Sequence, residues 1–121
     1  MTLNDTSPFA VEDWSASRRW ERHAIDVRLK ATSSRGGVRT IVYGRGTDLS
    51  EGGMSAYIAL ELNLGSSIEM EVTLPYAQQP LKVRARVRSR HGLHYGLEFL
   101  SLTPPEREVI LRTCKALALV H

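Results

Sequence analysis

Cysteine is nearly absent: Cys114 is the only one among 121 residues, so no internal disulfide can form, which fits a reducing compartment. Long apolar runs are missing as well. No stretch approaches the roughly 20 residues a membrane-spanning helix needs, and residues 1–10 carry neither a basic segment nor an apolar one of the kind that directs secretion. A cytoplasmic protein without membrane insertion is expected. Catalytic sets are equally scarce. No P-loop lysine follows Gly46, no Ser-His-Asp set can be assembled, and His91 and His94 have no acidic or cysteine partner at metal-binding spacing. The chain is therefore expected not to be an enzyme, and to hold no metal and no cofactor. Repeats and low-complexity tracts are lacking too.

What is present is arginine. Thirteen of the sixteen basic residues carry the guanidinium fork, which suits bidentate contact with phosphate or with a guanine edge. The net charge of +3 and pI near 9.4 lean toward an anionic partner without identifying one. With 42% hydrophobic residues the chain can bury a single core, so one domain is expected.

Residues 1–16 show no sustained period and read as a flexible arm, and residues 17–23 form a charged lead-in containing Trp20. Alternation begins at Ala24. Ile25, Val27 and Leu29 share one face, which predicts a first strand, and a Ser/Gly turn over 32–37 separates it from a second β-branched run over 38–43. Gly44-Arg45-Gly46 reads as an interruption. A third strand carries Met54, Ala56, Ile58 and Leu60, and a fourth covers 67–74. Pro75 and Pro80 bracket a loop. A hairpin then joins 81–91 to a sixth strand holding Tyr95, Leu97 and Phe99. Thr103-Pro104-Pro105-Glu106 has the form of a capping box, and Val109, Ile110, Thr113, Cys114 and Leu117 recur at helical spacing over 104–119. The fold class expected is all-β with a C-terminal helix: six strands closing into an antiparallel barrel, because a flat sheet would leave open edges.

Two segments carry the candidate chemistry. Asp48-Leu49-Ser50-Glu51-Gly52-Gly53 can be a tight connection between strands, since Asp and Ser bond locally and glycine bends freely. It can equally be a polar pocket floor, with Asp48 accepting from the donor edge of guanine, Ser50 bonding base or phosphate, and Gly53 admitting a flat ring. Arg18, Arg19 and Arg22 can be a solvated charge run, or a set of forks for phosphate and for guanine O6 and N7. A guanine nucleotide would use both halves.

Arg18 and Arg22 match an Arg-x-x-x-Arg motif, Asp48, Ser50 and Gly53 match Asp-x-Ser-x-x-Gly, and Gly96 and Phe99 match Gly-x-x-Phe. In these residues the chain resembles the PilZ family of cyclic di-GMP receptors from Ser17 onward. The resemblance implies a six-stranded barrel with a C-terminal helix over 17–121, the barrel at 24–100, and a switch at 17–23 that the ligand orders. It implies that Arg18 and Arg22 hold guanine and phosphate of cyclic di-GMP while Asp48, Ser50 and Gly53 line the guanine pocket. Arg19 lies inside the motif and either assists phosphate or faces water. The resemblance further implies a bacterial second-messenger receptor that signals to an effector protein. The alternatives are an interaction adaptor on the same barrel that binds no nucleotide, and an oligonucleotide-binding barrel using the basic stripe Lys82, Arg84, Arg86, Arg88 and Arg90. That stripe lacks the interleaved aromatics of single-strand binders, so nucleic acid is not the expected partner.

Overall fold

The computed structural model describes residues 21–120. Six strands run in chain order: β1 (His23–Arg35), β2 (Val38–Leu49), β3 (Gly53–Ile58), β4 (Ser67–Val72), β5 (Leu81–His91) and β6 (His94–Leu100), followed by α1 (Pro104–Leu119). They close into an antiparallel barrel in the order β1-β2-β3-β6-β5-β4, with β4 returning to β1 through Leu29–Thr32 and Glu69–Val72. Closure follows from the alternation: Leu29, Met54, Ile58, Ile68, Met70, Val83, Val87 and Leu97 all point inward and are buried together. The helix completes this core. Its capping box is formed in full, with Glu106 N–H donating to Thr103 Oγ1 at 3.4 Å and Thr103 N–H to Glu106 Oε1 at 2.9 Å. Ile110, Cys114 and Leu117 then join the barrel core, and the helix approaches β1.

Four sequence expectations need correction. Residues 32–35 are strand: they pair with 38–41, leaving Gly36 (φ 57°) and Gly37 (φ 80°) as a two-residue turn whose positive dihedrals match the hairpin twist. Gly44 and Gly46 do not interrupt β2. They sit in the ladder where neighbours come too close for a side chain, Gly44 beside the Tyr57 carbonyl and Gly46 against Met54 and Val27. The third and fourth strands end earlier than their apolar patterns, at Ile58 and Val72; Leu60 and Leu74 pack on the core from the loops that follow.

The fourth correction concerns the basic stripe. Arg88 is one residue too many between the pairs Val87↔Leu97 and Ser89↔Gly96, and this bulge reverses the alternation beyond it. Arg90 therefore pairs with the inward-facing Tyr95 and leaves the outer face. Its guanidinium lies 5.8 Å from the Tyr95 ring centre, with Nε donating to the Gly92 carbonyl and Nη1 to that of Leu62. The expected arm at 1–16 and the greater part of the expected switch at 17–23 lie outside the described residues.

Candidate functional site

The Asp48 motif forms the junction of β2 and β3. Opposite β3, Thr47 is an extra residue between the pairs Gly46↔Ala56 and Asp48↔Ser55. In a regular strand Thr47 and Asp48 would face opposite ways; here both reach one β3 residue. Asp48 Oδ1 accepts from the Ser55 N–H at 3.2 Å, and Thr47 Oγ1 donates to the Ser55 carbonyl at 3.2 Å. The Asp48 carboxylate is thereby fixed, half-buried, at the rim of the turn. Ser50 closes the turn from inside: its N–H donates to the Gly53 carbonyl at 2.8 Å, its hydroxyl donates to the same oxygen at 3.3 Å, and it accepts from the Gly52 N–H. Ser50 is buried, and its hydroxyl serves local turn bonding, the first of the two roles open to it in the sequence. Gly53 is buried opposite Glu98, and the Gly52 carbonyl accepts from the Phe99 N–H at 3.0 Å, which ties the turn to β6.

Arg22 enters from the other side. His23 pairs with Leu49 and Ala24 with Asp48, so the residue before His23 reaches the level of the Ser50 turn. The last arginine of the upstream segment and the Asp48–Gly53 turn thus lie at the same end of the β1–β2 ladder, although 25 positions separate Arg22 from Thr47 in the chain. Arg18 and Arg19 lie outside the described residues.

On the outer face of the sheet, the row Asp48–Ser55–Gly96–Ser89 crosses four strands with little side-chain bulk beyond the carboxylate. Ser55 and Gly96 are buried although their parity is outward. Beside this row stand Glu98 and Arg88, ion-paired through Arg88 Nε at 2.6 Å, and Arg86, whose Nε is buried without a hydrogen-bond partner. On the other side stand Tyr57 and His94, which pair across β3 and β6 with ring centres 4.4 Å apart. Sequence reasoning passed over Thr47, Ser55 and Tyr57. Only Tyr57 left a signal, an aromatic at an outward position in a strand whose inward residues are Met54, Ala56 and Ile58.

The remaining stripe does not form an open basic surface. Lys82 faces Glu71, Arg84 faces Glu69, and Arg86 faces Glu98 directly across the ladder. A cavity of about 440 Å³ lies over this mixed-charge face, lined by Lys30, Glu69, Glu71, Lys82 and Arg84 among others, away from the motif. A smaller groove of about 220 Å³ adjoins the motif, between Glu51, Gly52, Phe99 and the helix residues Arg107 and Leu111. Among the described residues no group of three His, Cys, Asp or Glu side chains is placed to hold a metal ion, and no helix is long and apolar enough to cross a membrane.

A family model described as PilZ domain matches residues 16–116, which spans both motifs, the barrel and most of the helix. The chain belongs to the PilZ domain family. Solved PilZ structures share its fold at low identity. The PilZ domain of YcgR from Escherichia coli, solved with c-di-GMP, is 21% identical at a TM-score of 0.66, covering 84% of this chain and 91% of that one. The PilZ domain of CeSA from a cellulose-synthesizing bacterium is 17% identical at 0.61, covering 84% and 99%. The Bacillus subtilis inhibitor of motility MotI/DgrA is 16% identical at 0.67, and there this PilZ chain spans only 51% of the longer protein. Among curated proteins none matches significantly.

Proposed function

We propose that this PilZ domain is a bacterial, cytoplasmic, non-enzymatic receptor for cyclic di-GMP. Arg18, Arg22, Asp48, Ser50 and Gly53 form its site, with Arg19 assisting at phosphate. The observation that carries this reading is the β1–β2 register, which sets the residue after Arg22 opposite Leu49, inside the Asp48 motif. A guanine base offers two donors on one edge and two acceptors on another. The Asp48 carboxylate suits the first, and arginine forks suit the second and the phosphates. Ser50 and Gly53 shape the pocket floor from within the turn.

Binding fixes the 17–23 segment on the barrel, and the ordered segment is the signal that an effector protein reads. Ordering costs about 1–2 kcal/mol per residue of backbone entropy, so the nucleotide must bridge the arginines to the Asp48 turn to offset it. The opposed carboxylates along β5 favour this reading over an oligonucleotide-binding barrel.

The test is calorimetric titration with cyclic di-GMP of the wild type, Asp48→Asn, Asp48→Ala and a triple neutralisation of Arg84, Arg86 and Arg88. Asparagine retains an acceptor for the Ser55 N–H while removing the charge. The receptor reading predicts loss of binding in both Asp48 variants and retention in the triple variant; binding that survives Asp48→Ala contradicts it.

A further inference from the structure

We infer that Tyr57 and His94 form a base-stacking platform that extends the nucleotide site along the outer face of β3 and β6, and that its ligand is the second purine of a cyclic dinucleotide. This inference rests on the receptor reading above and adds residues outside the two motifs. The two rings are stacked at 4.4 Å between centres with 28° between planes, and Tyr57 is 55% exposed, so the pair has an open aromatic surface. Neither side chain belongs to the core, so the pair's share in the fold is that of one cross-strand contact, about 0.2–1 kcal/mol.

The platform is also held in place. Thr47 Oγ1 lies 3.0 Å from His94 Nε2 and donates to the Ser55 carbonyl; both contacts are met at once when the hydroxyl accepts from an Nε2–H tautomer. Thr47 and Asp48 are the two residues brought together by the β2 bulge, and they engage the same β3 residue. Tyr57 follows Ser55 by two positions on the same face, a rise of about 7 Å along the strand. That spacing is within the reach of one dinucleotide whose first base sits at Asp48. Arg45 pairs with Tyr57 across the ladder and is held beside it by an ion pair with Asp26 at 2.8 Å.

A stacked base is recognised by its π-face, so the platform favours purine over pyrimidine through area and adds affinity without changing the guanine edge contacts. The test is titration of the full chain with cyclic di-GMP using wild type, Tyr57→Ala, Tyr57→Trp and Asp48→Asn, with thermal unfolding of each and proton NMR of the ligand's purine H8 resonances. The inference predicts about tenfold weaker binding for Tyr57→Ala while the variant stays folded with only a small fall in thermal stability, restoration of binding by Tyr57→Trp, and an upfield H8 shift that disappears in Tyr57→Ala. Wild-type affinity in Tyr57→Ala, with binding lost in Asp48→Asn, overturns the platform and leaves the receptor standing. No binding by the wild type overturns both.

Discussion

Thr47 and Asp48 are chain neighbours, yet one extra residue in β2 sends both side chains to Ser55. Residue-level costs of this kind can be ranked at the two strand glycines. An alanine Cβ at Gly46 would meet Met54 Cε at 2.5 Å, the free end of a flexible side chain, whereas at Gly44 it would meet the backbone carbonyl of Tyr57. Replacing glycine with alanine in a strand gains about 0.5–1 kcal/mol of backbone entropy, while overpacking against a fixed backbone costs about 1–3 kcal/mol. Gly44→Ala should therefore destabilise the barrel more than Gly46→Ala in urea unfolding, and equal midpoints would contradict the ranking. Cys114 is the other residue with a defined consequence. Burial, and then the nearby Glu51 carboxylate, push its thiol up from an ordinary value near 9 to about 11. Between these values the unfolded chain gives up the proton and the folded one keeps it, so stability is full below about 9 and falls as pH rises toward 11. Cys114→Ala should flatten that alkaline decline; an unchanged decline would show that another group causes it.

At the scale of elements, the bulge in β5 divides a stripe that looks uniform in sequence. Arg84 lies on the outer face, whereas Arg90 turns over the mouth of the barrel and bonds the Gly92 and Leu62 carbonyls. Beneath it, fully buried Tyr95 donates its hydroxyl to the Leu60 carbonyl at 2.7 Å and accepts from the Leu62 N–H at 3.0 Å. Tyr95→Phe leaves the Leu62 N–H unpaired in a buried site, a cost of about 1–3 kcal/mol. Arg90→Ala should cost on the order of 1 kcal/mol, and Arg84→Ala should stay within about 0.5 kcal/mol of wild type. Chemical denaturation of the three variants checks the order, and equal effects of the two arginines would contradict the reversal at Arg88. Alternation was enough to find every strand, because a period of two is a property of neighbours along the chain. Bulges are not. Arg88 and Thr47 become extra residues only relative to the strands beside them, so alternation alone puts Arg90 on the wrong face, and the sequence does not distinguish a break at Gly44 and Gly46 from close packing that demands glycine.

For the whole molecule, barrel closure could be argued from the cost of open edges, and the capping box and helical stripe specified α1 almost to the residue. The strand order was not legible, since it depends on which ladders meet in space. The proposed site is readable in the sequence as chemistry, a carboxylate motif and an arginine motif suited to one ligand, but its geometry depends on the β1–β2 register that sets the residue after Arg22 opposite Leu49. Arg18 and Arg19 complete the ligand set only as proposed, from outside the described residues. The central claim is that these two halves act together on one cyclic dinucleotide. It is tested most directly by titration calorimetry of the full chain with cyclic di-GMP, with GTP and the Arg22→Ala protein beside it. The receptor account predicts saturable binding of the cyclic dinucleotide alone, lost in Arg22→Ala. Absence of heat at ligand concentrations well above the micromolar range, or equal binding of GTP, would contradict it.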